Sequence, residues 1–564
     1  MPDNDLLSGP PDDSTELASS VNGDEAKGGR HPQDEGDPEV GLLSGSVPPD
    51  DSGAQQPESE VAESTGDRSK RQSSIRRVLT RWGPLQRWSR YRMMERIERT
   101  EPNPWKDRDP GANAESSLPE GERVELPVIW VAELYTPSTV PGLLSGISKL
   151  GWDQGTSRDD SLVKWMSDVR QGRRAGWTSL GLVSPPDSHH FMRERVAPLP
   201  EGVDVALPVL ISITPSLTAF VTAFLMSKES AAALDAPLRA FYSTRIERDP
   251  SFRRWHVIPH VLWNRPIRSG RRFYPPDTVR RDEARSCVRG LERDCTAWVG
   301  ERMPGVFASS PRGTTFPTAV LMVTEIAAPL SDETRRMRAF DGLSIDRDYD
   351  AWESAEWPGG RLVLPRSWDD EDRRLVFACR RHDAFPDRAG YADPTSNWTI
   401  AQRADELLRG LLSRWAISCL LDYYHELVSA LRDSSAARRT YHPVRDLKAL
   451  RALAQTQLYD VVTSTQEIEE FVEADRLYRH DVLELTYVHS ADGAPVDLLK
   501  ELRVSQRIRA QSVQRDATLL QSTLSISSEI TQTISNMRMQ RLIVLLTVVS
   551  IGIALAAILI TLNS

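Results

Sequence analysis

Ten histidines, four cysteines and 80 acidic side chains are the raw material for acid–base, nucleophilic or metal chemistry in this chain of 564 residues. A zinc-protease helix requires His-Glu-x-x-His, so that two imidazoles lie one turn apart on one face with a glutamate to activate water. His425-Glu426 begins that pattern, but Ser429 stands where the second ligand belongs. His256 and His260 are four apart with Pro259 between them, and proline breaks the helix that would align them. His189-His190 is a pair in an expected loop. Cys287 and Cys295 lie eight apart on an expected helix, about 12 Å, too far to bridge or to share an ion. With Cys379 and Cys419 scattered, the cysteines read as packing residues of a reducing compartment. Asp369, Asp370, Glu371 and Asp372 gather four carboxylates without the turn glycine or distant acid of a calcium loop, and read as a solvated loop. No phosphate-binding glycine loop and no Gly-x-Ser-x-Gly elbow occurs. The sequence thus assigns no catalytic, cofactor-binding or metal-binding residue, although a triad assembled from distant positions leaves no local trace.

The elements that would position any such group fall into two styles. Over 123–395, short apolar runs alternate with helical stretches, which predicts a mixed α/β domain. Strands are expected at 124–135, 203–214, 217–226, 316–326 and 374–379, and helices at 161–173, 231–245 and 277–303. Over 396–490 the pattern is helical throughout. Thr399 and Gln402 have the spacing of a capping box, and Leu408, Leu411, Trp415 and Cys419 recur on one face. Pro443 opens a second helix expected to run to 488, with Leu447, Leu450, Ala454, Leu458, Val461, Thr465, Ile468 and Val472 at spacings of three and four. After Gly493 and Pro495 there is no glycine or proline until Gly552, so one stalk helix is expected over 496–541, continuing into the span that follows. Its inner stripe reads Val513, Ala517, Leu520, Leu524, Ser527, Ile530, Ile534 and Met537, a seam for another helix and a route to a homo-oligomer.

From Leu542 to Leu562 no charge interrupts 21 residues, roughly 31 Å of helix, enough to cross a bilayer. Arg538 and Arg541 precede the span and only Asn563 and Ser564 follow, which places the long N-terminal part in the cytoplasm of a single-pass cell-membrane protein. Residues 1–67 hold 17 acidic and 2 basic side chains and are expected to be disordered. A unit recurs there, Leu6-Leu7-Ser8-Gly9 and Leu42-Leu43-Ser44-Gly45, each followed by Pro-Pro-Asp-Asp-Ser, either a docking motif or a duplication. Charge then reverses in the segment 68–122. Arg76, Arg77, Arg81, Arg87 and Arg90 stand among Trp82 and Trp88, a composition that suits an anionic bilayer surface, a phosphate backbone, or a solvated helix paired with the acidic tail. The net charge of -10 argues against a dedicated nucleic-acid binder. Arginine outnumbers lysine 62 to 8, the mark of a GC-rich and hence bacterial genome.

An α/β domain, a helical layer, and a long helix passing through Asn536-Met537-Arg538-Met539-Gln540-Arg541-Leu542 into the bilayer together resemble the CorA family of magnesium channels. The resemblance covers about the last 160 residues. It implies a funnel-shaped homo-oligomer whose long helices surround an axis. The family's Gly-Met-Asn motif and second spanning helix have no counterpart here, so no functional residue is carried over. Three functions are expected in order: a membrane-anchored scaffold, sensor or regulatory protein with a protein partner, a CorA-like oligomeric cation channel, and a membrane-tethered enzyme.

Overall fold

The computed structural model describes residues 106–153, 161–188, 194–248, 271–310, 315–331, 351–365, 373–384, 393–438, 445–487 and 495–563. By its internal contacts the chain divides into units 1–80 and 81–564, and every described residue belongs to the second. The acidic tail and the membrane-surface candidates Arg76, Arg77, Arg81, Trp82, Arg87, Trp88 and Arg90 lie outside the described residues.

Thirteen strands are described: β1 (Val124–Tyr135), β2 (Gly176–Ser179), β3 (Val183–Ser184), β4 (Arg195–Val196), β5 (Val203–Ser212), β6 (Thr218–Met226), β7 (Arg245–Arg248), β8 (Arg271–Tyr274), β9 (Thr318–Thr324), β10 (Ala351–Glu353), β11 (Arg361–Val363), β12 (Arg374–Arg380) and β13 (Thr486–Tyr487). The helices are α1 (Asp109–Ser116), α2 (Val140–Lys149), α3 (Leu162–Arg170), α4 (Lys228–Ala231), α5 (Asp235–Arg239), α6 (Pro276–Arg302), α7 (Asn397–Arg438), α8 (Arg445–Glu473), α9 (Asp475–Arg479) and α10 (Leu498–Asn563).

Eleven strands form one sheet in the order β13-β10-β11-β12-β9-β1-β6-β5-β3-β4, with β2 also on β5, while β7 and β8 make a separate ribbon. Pairing is antiparallel except for β12 on β9 and β3 on β4. The centre is β1, whose sequence VELPVIWVAELY is buried at every position but Glu125. Such a strand needs cover on both faces, and the period of two divides its side chains between two cores. Val128, Trp130, Ala132 and Leu134 enter one core with Ile400, Leu408, Leu411 and Trp415 of α7. Ile129, Val131 and Tyr135 enter the other with Leu143 and Ile147 of α2, Trp165 of α3 and Trp298 of α6.

The five long strands and the helix over α6 stand within a few residues of where the sequence predicts them. Four expectations need correction. The boundary at 395/396 is not a packing boundary, because α7 is the second layer of the sheet's own core and β13 extends the sheet beside β10. The helix expected at 231–245 is broken into short turns ending at Arg239, where Pro237 interrupts the backbone bonding, and Arg245 already begins a strand. α7 is capped by Ser396, whose Oγ accepts the Thr399 N–H at 3.2 Å, so Thr399 lies inside the first turn. Finally, α8 stops at Glu473 rather than 488. Arg503 of α10 donates to the Val472 carbonyl at 2.7 Å and to that of Glu473 at 3.2 Å, ending the helix with a cation on its final carbonyls.

Candidate functional site

The 66-residue α10 is the element on which the functional reading turns. Asp497 caps it: Oδ1 accepts the Leu499 N–H at 2.9 Å, and Oδ2 accepts from Arg479 at 2.6 Å. Leu498, Leu499, Leu502, Ala510, Val513, Ala517 and Leu520 are buried, with Leu524 packed against the same core. They share that core with Leu458, Val461, Ile468 and Val472 of α8. Over Val513 to Leu520 the expected seam shares its core with α8 of the same chain. The side chain of Ile534 lies outside the described residues. Val504, Ile508, Leu519 and Ile526 line the opposite face and are exposed.

Polar groups fix the root of this helix to the rest. Gln506 is fully buried, its Nε2 donating to the Arg414 carbonyl at 2.7 Å and to Ser418 Oγ at 2.8 Å, while the Tyr478 hydroxyl donates to its Oε1 at 2.9 Å. The Arg414 guanidinium is buried too, and donates to the backbone carbonyl of Tyr478 at 3.0 Å. It lies over the rings of Phe471 at 4.9 Å and Tyr478 at 5.5 Å. Burial lowers its pKa to about 10, so it stays cationic at neutral pH. Its turn is reached only because position 410 is glycine: a Cβ there would sit 2.0 Å from the Asp481 carbonyl oxygen. Arg509, which interrupts the apolar periodicity, pairs with Asp422 of α7 at 2.9 Å.

Beyond the root the same helix changes character. Asn536–Leu562 is a 27-residue stretch whose most apolar window reaches a mean hydropathy of 3.0, and none of that window is buried among the described residues. Leu542 is 61% exposed and Leu562 76%, so this helix is not a core helix. Along one side Met537, Gln540, Arg541, Val544, Leu545 and Val548 line a shallow, open groove. The hydroxyls of Thr547 and Thr561 are turned back on the carbonyls of Ile543 at 2.8 Å and Ala557 at 2.5 Å.

Elsewhere, chemistry-bearing side chains serve as fasteners. Glu133 of β1 is fully buried and accepts the N–H groups of Leu134, Phe307 and Ala308 at 2.8 to 2.9 Å. Burial raises its pKa to about 7 despite those bonds. Asp405 of α7 accepts from Trp130 Nε1 at 2.9 Å, and burial raises its pKa to about 6. Glu292 and Arg374 form a buried pair completed by the Thr318 hydroxyl at 2.8 Å. Asp460 and Glu467 of α8 hold the loops at the sheet's end. Asp460 accepts from Thr136 at 2.6 Å and from Ser138, and Glu467 accepts the Ser216 N–H at 2.9 Å.

Among the sequence candidates, His425 and Glu426 are exposed on α7. Cys295, Cys379 and Cys419 are buried thiols raised by burial, the last two to about 12. His189, His190, His256, His260 and the run 369–372 lie outside the described residues. Among the described residues no group of three or more His, Cys, Asp or Glu side chains could hold a metal ion. No protein-family model matches the chain, and no curated protein matches it. The joint of Arg414, Tyr478 and Gln506 went unseen in the sequence, since its members are 28 and 64 positions apart. The one local signal was the polar Gln506 and Arg509 interrupting an apolar stripe.

Proposed function

We propose that the chain is a single-pass membrane protein that displays its α/β domain on the cytoplasmic side, on a rigid helical stalk, and acts through association as a scaffold, sensor or regulator. One observation carries the reading: a single unbroken helix is packed into the domain core at its start and, from Leu542 to Leu562, is apolar on every face and buried by none of the described residues. Exposed apolar surface of that extent is stable in hydrocarbon, where each Leu, Ile or Val contributes roughly 0.3–0.6 kcal/mol to insertion. Arg538 and Arg541 at the near end favour the cytoplasmic side for the domain. The buried root is what makes the span useful: a motion or a partner felt at the domain reaches the bilayer through one stiff rod. Vesicle flotation tests the anchor. The full chain floats and the chain lacking residues 542–562 stays in solution, and protease added outside sealed inverted vesicles digests the α/β domain. Both proteins remaining soluble would sink the proposal.

The unbroken passage of α10 from domain to span also favours a CorA-like oligomer with one span per subunit around an axis. Thr547 and Thr561 weigh against it, since their hydroxyls bond their own helix. Divalent-cation flux into liposomes holding the purified protein decides the matter, and absence of flux removes this reading.

A further inference from the structure

We infer that the first turns of the span form a seat for one anionic phospholipid of the leaflet on the domain's side. The inference rests on the anchor reading and specifies which lipid the anchor holds. Arg538 and Arg541 are three residues apart, so they neighbour one another on the helix surface, about 4.5 Å apart along the axis. Directly below, Val544, Leu545 and Val548 continue the groove that Met537, Gln540 and Arg541 open. The groove is polar and cationic at one end and purely aliphatic at the other, over about 10 Å from Arg541 to Val548. That is the profile of a phospholipid lying against a helix, with phosphate at the boundary and acyl chain beneath.

Charge selects the headgroup. Among the described residues neither arginine makes an ion pair, and the sequence holds no carboxylate after Glu529. A guanidinium presents a planar fork of donors that matches phosphate oxygens, and two such forks favour a headgroup without a cation of its own. Phosphatidylglycerol meets that requirement. Phosphatidylcholine brings a quaternary ammonium that two arginines repel.

The test uses the full chain in nanodiscs of equimolar phosphatidylglycerol and phosphatidylcholine, with retained lipids counted by native mass spectrometry. Phosphatidylglycerol is expected to be retained preferentially, and Arg538→Gln and Arg541→Gln each to lower that preference on the order of fivefold. Arg515→Gln, about 35 Å further up the same helix and several screening lengths away, is expected to leave it unchanged. Equal retention of both lipids, or a preference untouched by the two substitutions, overturns the seat while leaving the anchor standing. Displacement of the lipid by millimolar inorganic phosphate also overturns it, by showing a phosphate site that ignores the acyl chain. Failure of the chain to enter nanodiscs at all overturns the anchor and the seat together.

Discussion

The two halves of α10 share a backbone, a chain direction and a lack of proline, yet they distribute their apolar side chains around the axis in different ways. In the first half, buried Val513 and Ala517 alternate with exposed Arg515 and Leu519, and each buried polar group, such as Gln506, has its partners. From Leu542 to Leu562 the polar side chains are reduced to Thr547, Ser550 and Thr561, and apolar ones are exposed on every side of the helix. The difference teaches that helix formation and helix placement are separate decisions. Propensity sustains 66 residues of continuous helix, and only the distribution of apolar side chains around it decides whether protein or lipid completes the burial.

Acidity should most strongly separate the core into which the first half is packed from the apolar stretch of the second. Glu133 and Asp405 have folded-state pKa values of about 7 and 6, above their ordinary values, so the folded state holds these protons more tightly than the unfolded one. Their contribution is complete below the ordinary carboxylate range and is lost as pH rises through 6 to 7, roughly 3 kcal/mol for each group. Urea midpoints of the α/β domain are expected to fall from pH 5 to pH 8, and Asp405→Asn to flatten part of that slope. Membrane retention should not change over the same range, because no titratable side chain lies between Leu542 and Leu562. A flat profile in the parent protein would show that these carboxylates are already ionised at pH 5.

Adjacent residues on the first half make the next contrast. Leu520 is 6% exposed and Leu519 68%. Leu520→Ala is expected to cost about 2–5 kcal/mol by opening a cavity against α8. On the second half the matching change is Ile551→Arg, a charge near the middle of the span. It should raise the insertion free energy by roughly 2.5–3.5 kcal/mol and shift the protein from floated to soluble fractions, with the urea midpoint of the domain unchanged. A fall in that midpoint would mean that the span packs on protein.

How much of this could be read beforehand follows from range. β1, β5, β6, β9 and β12 carry their own period-two or all-apolar signature, and the span carries its own hydropathy, so both were visible in windows of ten to twenty residues. The end of α8 was not, since Arg503, thirty residues ahead, supplies the cap. Nor was the merging of α7 with the sheet, because the stripe of Leu408, Leu411 and Trp415 says that a face is buried without naming what buries it. The seam of α10 failed to disclose its partner for the same reason. A stripe that suits a second copy suits α8 equally well, and an antiparallel neighbour in the same chain has the higher effective concentration.

The smallest expected effect lies on the outer face of the first half. Val504, Ile508, Leu519 and Ile526 lie within one helical sector there, opposite the residues that α8 covers, and all are exposed. Leu519→Gln and Ile526→Gln should move the urea midpoint by no more than about 0.5 kcal/mol, as surface changes do. The same pair bears on association. If copies of the chain meet through the first half of α10, the contact must use this face, since the inner one is filled from Leu498 to Leu524. The mass of the detergent-solubilised double variant should then fall to that of the monomer. A parent oligomer that survives both substitutions would place the contact off this face, on the α/β domain or along the apolar stretch from Leu542 to Leu562.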